Sequence, residues 1–160
     1  MISSPPANSP PAKGQLAPDF TVGWTAGGTF TLSSLRGQRN VLLAFFPLAF
    51  TSTCTAELCD FATDFDQFAG ADVEVLPISV DSTASLREFK NKYEMRSELL
   101  SDFKRDVSRA YGVLIPDKFY SERAYFLIGK DGRVAWSHVE SSTSEKRSND
   151  ELLAEIKKLS

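Results

Sequence analysis

The chain has 160 residues, of which 42% are hydrophobic, 24% charged and 11% aromatic, the balance of one globular domain rather than of a disordered or fibrous chain. Eighteen Lys and Arg against 21 Asp and Glu leave a formal charge of −3, so a nucleic-acid partner finds no net attraction. Two cysteines cannot build a disulfide-dense framework, and the longest apolar run, near Val41–Phe46, is far short of the roughly 20 residues that cross a bilayer.

Residues 1–16 carry four prolines among Ser, Ala and Asn. Such a composition buries too little surface to offset chain entropy, so it reads as a disordered tail ahead of a folded domain at 17–160. It lacks the positive start and apolar segment of a secretory signal. From Pro18 the pattern turns to short extended pieces. Phe20–Val22 and Thr29–Leu32 about Gly27-Gly28 predict a hairpin, and Ser33–Gly37 predicts one helical turn. Asn40–Phe46 is wholly apolar after its first residue and suits a central strand covered on both faces, ended by Pro47.

Beyond Thr51, the positions Cys54, Leu58, Phe61, Phe65 and Phe68 recur at helical spacing with acidic residues between them, which predicts an amphipathic helix stopped by Gly70. Val73–Val80 reads as a strand, although Pro77 argues against its far half. Asp81 or Ser82 caps a helix through Leu86, Phe89 and Tyr93. A short extended piece at Leu99-Leu100 and a short helix Val107–Tyr111 closed by Gly112 follow. Arg123–Ile128, the turn Lys130-Asp131-Gly132 and Arg133–Val139 form the strongest hairpin signal, and Glu151–Leu159 a final helix. Strands alternating with helices, then a hairpin and a terminal helix, give an α/β architecture with a central mixed sheet.

A helix that begins just before or at Cys54 sets its sulfur among unpaired N–H groups at the positive end of the macrodipole, where a thiolate is favoured over a thiol. The bland reading is a small buried hydrophobe on the apolar stripe. Its neighbours decide between the two. Pro47, Thr51 and Cys54 stand as Pro-x-x-x-Thr-x-x-Cys directly after an apolar strand, and FPLAFTSTCTAELC resembles the active-site region of the peroxiredoxins, thiol peroxidases of thioredoxin-like fold. Within them the segment is similar to the bacterioferritin-comigratory (PrxQ) and one-cysteine AhpE-like groups. Phe-Pro-Leu-Ala-Phe-Thr and Glu57 match the AhpE-like pattern, while Cys59 stands where the PrxQ pattern has its second cysteine. The likeness runs from Ala17-Pro18-Asp19-Phe20 through Leu99–Asp102, Ala110–Val113 and Arg123 to the C-terminus.

The resemblance implies a role for each matched residue. Cys54 would be the peroxidatic nucleophile that becomes a sulfenic acid. Thr51 would align the hydroperoxide through its hydroxyl, and Pro47 would shield the site without adding an N–H. Arg123 would supply the cation that stabilises thiolate and leaving oxygen, and Glu57 would position that guanidinium.

Cys59 lies five residues after Cys54, about 140° around and about 7.5 Å along a regular helix. Joining the two therefore requires the first turns to unwind. The PrxQ likeness implies an intrachain disulfide with Cys59, reduced by thioredoxin or a similar dithiol. The AhpE likeness implies resolution by an external thiol, with Cys59 a bystander. It also suggests a homodimer where the PrxQ likeness suggests a monomer. No phosphate loop or cofactor motif is present, and His138, the one histidine, leaves a metal site short of ligands. A hydroperoxide substrate, no membrane partner and a cytoplasmic setting are expected; the reading from another class is a thioredoxin-fold binding or chaperone module with incidental cysteines.

Overall fold

The hairpin expected after Pro18 forms, with β1 (Thr21–Trp24) antiparallel to β2 (Thr29–Thr31), in a computed structural model that describes residues 9–159. A 3-10 turn at Leu32–Leu35 leads into β3 (Asn40–Phe45), followed by α1 (Ser52–Thr63) and α2 (Phe65–Gly70). Next come β4 (Val73–Ser79), α3 (Thr83–Lys92), β5 (Leu100–Ser101) and α4 (Asp106–Ala110). A small hairpin of β6 (Leu114–Ile115) and β7 (Tyr120–Ser121) precedes β8 (Ala124–Ile128), β9 (Val134–Val139) and α5 (Asn149–Lys157).

Among the described residues the main sheet runs β2-β1-β5-β4-β3-β8-β9. β3 is parallel to β4 and antiparallel to β8, so the sheet is mixed and flanked by helices, a thioredoxin-like α/β fold. The alternation of side chains along β3 explains its unbroken apolar run. Leu42, Ala44 and Phe46 pack with Cys54, Leu58, Phe61, Phe89 and Leu152 on one face. Val41, Leu43 and Phe45 pack with Val107, Tyr111 and Phe126 on the other. Burying each Leu or Phe in this way stabilises by about 1.5–3 kcal/mol.

Two local differences from the sequence reading have physical causes. The helix expected from Cys54 to Gly70 divides at Asp64, whose backbone leaves the helical region at φ −103, ψ 19. There the Asn149 side-chain amide donates to the Asp60 carbonyl and to the Asp64 carboxylate, both at 2.8 Å. Local apolar spacing cannot encode that tertiary contact. Pro77 sits inside β4, because β5 pairs with β4 only at Ile78 and Ser79 and leaves the β5 side of Pro77 unpaired. Of the two caps expected for α3, Ser82 is the one used, its hydroxyl accepting from the Ser85 N–H at 3.2 Å.

Of the expected tail, residues 1–8 lie outside the described residues. Residues 9–16 lie along the fold. The Gly14 N–H donates to the Val134 carbonyl at 2.8 Å, and the Val134 N–H donates to the Gln15 carbonyl at 2.9 Å. Where this strap crosses the end of α4, Gly112 takes φ +67, and a Cβ there would lie 2.4 Å from the Ser9 backbone.

Candidate active site

The segment between β3 and α1 is tied down at both ends of its backbone. The Phe46 N–H donates to the Ile78 carbonyl at 3.0 Å, and the Ser121 hydroxyl donates to the Phe46 carbonyl at 3.3 Å. The Ala49 N–H donates to the Asp81 carboxylate at 2.8 Å, which also accepts from the Ser79 hydroxyl at 2.6 Å. Pro47 is buried between these anchors, and Phe50 takes φ +69 just before the helix. The chain therefore enters α1 from a braced loop.

Thr51 is the N-cap of α1, extended at φ −82, ψ 155, and no side chain caps this end. Its hydroxyl is turned back to donate to the Leu48 carbonyl at 2.8 Å. Cys54 is the third helical residue, so its N–H belongs to the first turn, whose donors have no intrahelical acceptor. The partial positive charge of the helix start lies beside its sulfur.

Glu57 follows Cys54 by three residues and shares its helix face. Arg123 reaches both from the residue before β8. Its Nη2 donates to Cys54 Sγ at 3.0 Å, and its Nη1 donates to Glu57 Oε1 at 2.9 Å. The Thr143 carbonyl accepts from Nη2 at 2.9 Å and from Nε at 3.3 Å. All three side chains are almost fully buried, at 1% exposure for Cys54, 2% for Glu57 and 1% for Arg123. The other Glu57 oxygen, Oε2, accepts from the Tyr125 hydroxyl, which itself accepts from the Arg147 N–H at 3.0 Å. Among the described residues no buried side-chain nitrogen or oxygen lacks a partner.

The electrostatics follow from this burial. Desolvation pushes the Glu57 carboxyl above its ordinary pKa, against the pull of Arg123 and the Tyr125 hydroxyl. Burial also works against the Arg123 charge, but the facing Glu57 and Cys54 outweigh it and hold the guanidinium protonated. Burial, then the charge of Glu57, raises Tyr125 far above an ordinary phenol. An apolar enclosure containing a fixed cation, a sulfur and a helix start can stabilise negative charge on that sulfur and on an oxygen leaving from it.

The structure thus brings Cys54, Glu57 and Arg123 into direct contact and sets Thr51 and Pro47 on the loop leading to them. Cys59 lies on the same unbroken helix, half-buried and free, as is Cys54. Burial first, then Asp60, raise the Cys59 thiol above its ordinary pKa. His138 is half-exposed on β9 and faces Glu140 at 3.0 Å. The sequence reading does not single out Tyr125 or Thr143. The first could have been found from β-strand alternation, since it lies two residues from Arg123. The second contributes only a main-chain carbonyl, which residue identity does not signal. A surface depression of about 750 Å³, lined by Asn40, Asp72, Lys130 and Val134 among others, shares no residue with this cluster.

Residues 13–137 match the AhpC/TSA family. The chain is 36% identical over 154 residues to a putative peroxiredoxin of Synechocystis sp., covering 90% of this chain and 76% of that one. It is 37% identical over 128 residues to the putative peroxiredoxin bcp of Coxiella burnetii, covering 76% and 84%. The reduced 2-Cys peroxiredoxin of Plasmodium vivax superposes with a TM-score of 0.86 at 33% identity, over 92% of this chain and 81% of that one.

Proposed function

The chain belongs to the AhpC/TSA family and is a peroxiredoxin, and from that premise we propose that Cys54 is its peroxidatic residue and Cys59 its resolving one. The Cys54 thiolate attacks one oxygen of a hydroperoxide, hydrogen peroxide or an organic hydroperoxide. The O–O bond breaks, Cys54 becomes a sulfenic acid, and the other oxygen leaves as water or alcohol after taking a proton. Arg123 stabilises the sulfur anion before attack and the charge on the departing oxygen during it. Glu57 holds the guanidinium in place. Pro47 and Thr51 form the approach, with the Thr51 hydroxyl exchanging the Leu48 carbonyl for the peroxide. The observation that carries this reading is the Arg123 Nη2 to Cys54 Sγ contact of 3.0 Å, made by a buried guanidinium whose other arm is held by Glu57.

Resolution requires α1 to open. With the first turns unwound, the Cys59 sulfur condenses with the Cys54 sulfenic acid, a disulfide forms and water leaves. A thioredoxin-type dithiol then reduces the bond and is itself oxidised. A second reading, with an external thiol attacking Cys54 directly, is favoured by the raised pKa of Cys59 on an intact helix. Reduced protein should consume one equivalent of peroxide, and Cys54→Ser should consume none. Mass analysis after that equivalent separates the two routes: loss of both free thiols within one chain supports Cys59, and a mixed disulfide on Cys54 with Cys59 free refutes it. Wild-type protein that consumes no peroxide would instead support a binding module of the same fold. The folded domain at 17–160 is the unit assigned this activity, as a monomer or a homodimer in the cytoplasm, without nucleic acid, membrane or cofactor.

A further inference from the structure

Tyr125 is a fully buried phenol that the peroxidase reading leaves without a role, and its hydrogen bonds have a definite direction. Because the Arg147 N–H donates to its oxygen, the hydroxyl proton is left to go to Glu57 Oε2. Arg123 and Tyr125 lie two apart along the strand direction and project from one face. Cys54 and Glu57 lie three apart on α1. One residue at the entry to β8 and one within it therefore meet two helix residues: Arg123 Nη1 takes Glu57 Oε1, Tyr125 takes Oε2, and Arg123 Nη2 is left for the sulfur. A carboxylate held by one oxygen can swing about its broad terminal torsion. Held by both, it cannot.

We infer that Tyr125 is a positioning residue for the peroxidatic sulfur, fixing through Glu57 Oε2 the carboxylate plane that aims Arg123 Nη2 at Cys54 Sγ. The inference rests on the peroxidase reading. The charged groups around the phenol are Glu57 from α1, Arg123 from the residue before β8, Lys146 and Arg147 from the segment before α5, and Glu140 after β9. The two nearest alternative cations are committed elsewhere: Lys146 pairs with Asp60 at 2.6 Å, and Arg147 pairs with Glu140 and Glu151 at 3.0 Å. With its pKa far above the ordinary value, the phenol remains a donor throughout the working pH range.

Tyr125→Phe deletes one oxygen and keeps the ring. Alkylation of Cys54 by iodoacetamide at neutral pH, and the peroxide step followed by tryptophan fluorescence, are measured in wild type, Y125F, E57Q and the double variant. Y125F should slow both reactions about tenfold, and the loss should shrink to under about twofold in the E57Q background, because the phenol acts through Glu57. Equal losses in both backgrounds, or unchanged rates with only a lower melting temperature, overturn the inference. Should Y125F fail to fold, 3-fluorotyrosine at position 125 keeps the shape and alters the donor. It must then change the alkylation rate in the wild-type background and leave it unchanged in E57Q, and the reverse refutes the role. Alkylation needs no peroxide, so wild-type protein that fails to consume peroxide sinks the peroxidase reading alone, while the coupling result judges Tyr125.

Discussion

A carboxylate and a tyrosine are buried together beside α1 and again beside α4, and the two pairs serve different ends. Beside α4, Asp102 is 2% exposed. It accepts from the Val107 N–H at 3.0 Å, the Ser108 N–H at 2.7 Å and the Ser108 hydroxyl at 2.6 Å, while the Tyr111 hydroxyl donates to the Pro18 carbonyl at 2.7 Å. Beside α1, Glu57 is equally enclosed but accepts from a guanidinium and a phenol. Both carboxyls are pushed up by burial. Asp102 is met by neutral donors of one short helix, so it starts that helix. Glu57 is met by the free ends of two side chains, so what it holds in place is a charge. Enclosure of a carboxylate does not by itself mark chemistry; the nature of its donors does.

The largest break in this contrast comes from Arg123→Met, which leaves the Glu57 carboxylate buried with only a phenol to answer it. Stability should fall by about 3–5 kcal/mol in urea unfolding, and the peroxide step should slow about a hundredfold or more in stopped-flow assays. Tyr111→Phe sharpens the contrast from the other side. It should cost about 1 kcal/mol by orphaning the Pro18 carbonyl, with the alkylation rate of Cys54 equal to wild type. A changed rate would mean that the two sides are not independent.

The last test concerns pH. The folded pKa of Asp102 lies above its ordinary 3.8, so the neutral form favours folding. Its contribution is full below that ordinary value and declines as pH rises through the folded one. Asp102→Asn should therefore gain on wild type as pH rises across the mildly acidic range, with a slope of at most about 1.4 kcal/mol per pH unit, the limit for a single proton. Urea titrations at several pH values read this difference, and a constant offset would show that Asp102 does not titrate there.

Much of this was legible in the chain. The apolar run of β3 and the hairpin of β8 and β9 follow from patterns within a few residues. Cys54, Thr51 and Pro47 form a local motif, and Glu57 lies one turn on. Arg123 is reached through family likeness, since nothing local distinguishes it from a surface arginine. Features that depend on distant partners were not legible. The break at Asp64 is set by Asn149, the hairpin of β6 and β7 rests on only two residues in each strand, and Gly14 and Gln15 are held by bonds to Arg133 and Val134.

The segment between β9 and α5 adds a different kind of constraint. It grips Arg123 with the Thr143 carbonyl and Tyr125 with the Arg147 N–H, main-chain groups that every residue except proline carries in full. For those two contacts the side chains at 143 and 147 are immaterial, although Arg147 is tied separately to Glu140 and Glu151, whereas the number of residues between them is not: one inserted or deleted there would move carbonyl and N–H out of step. In this stretch natural variation should be read in loop length rather than in letters.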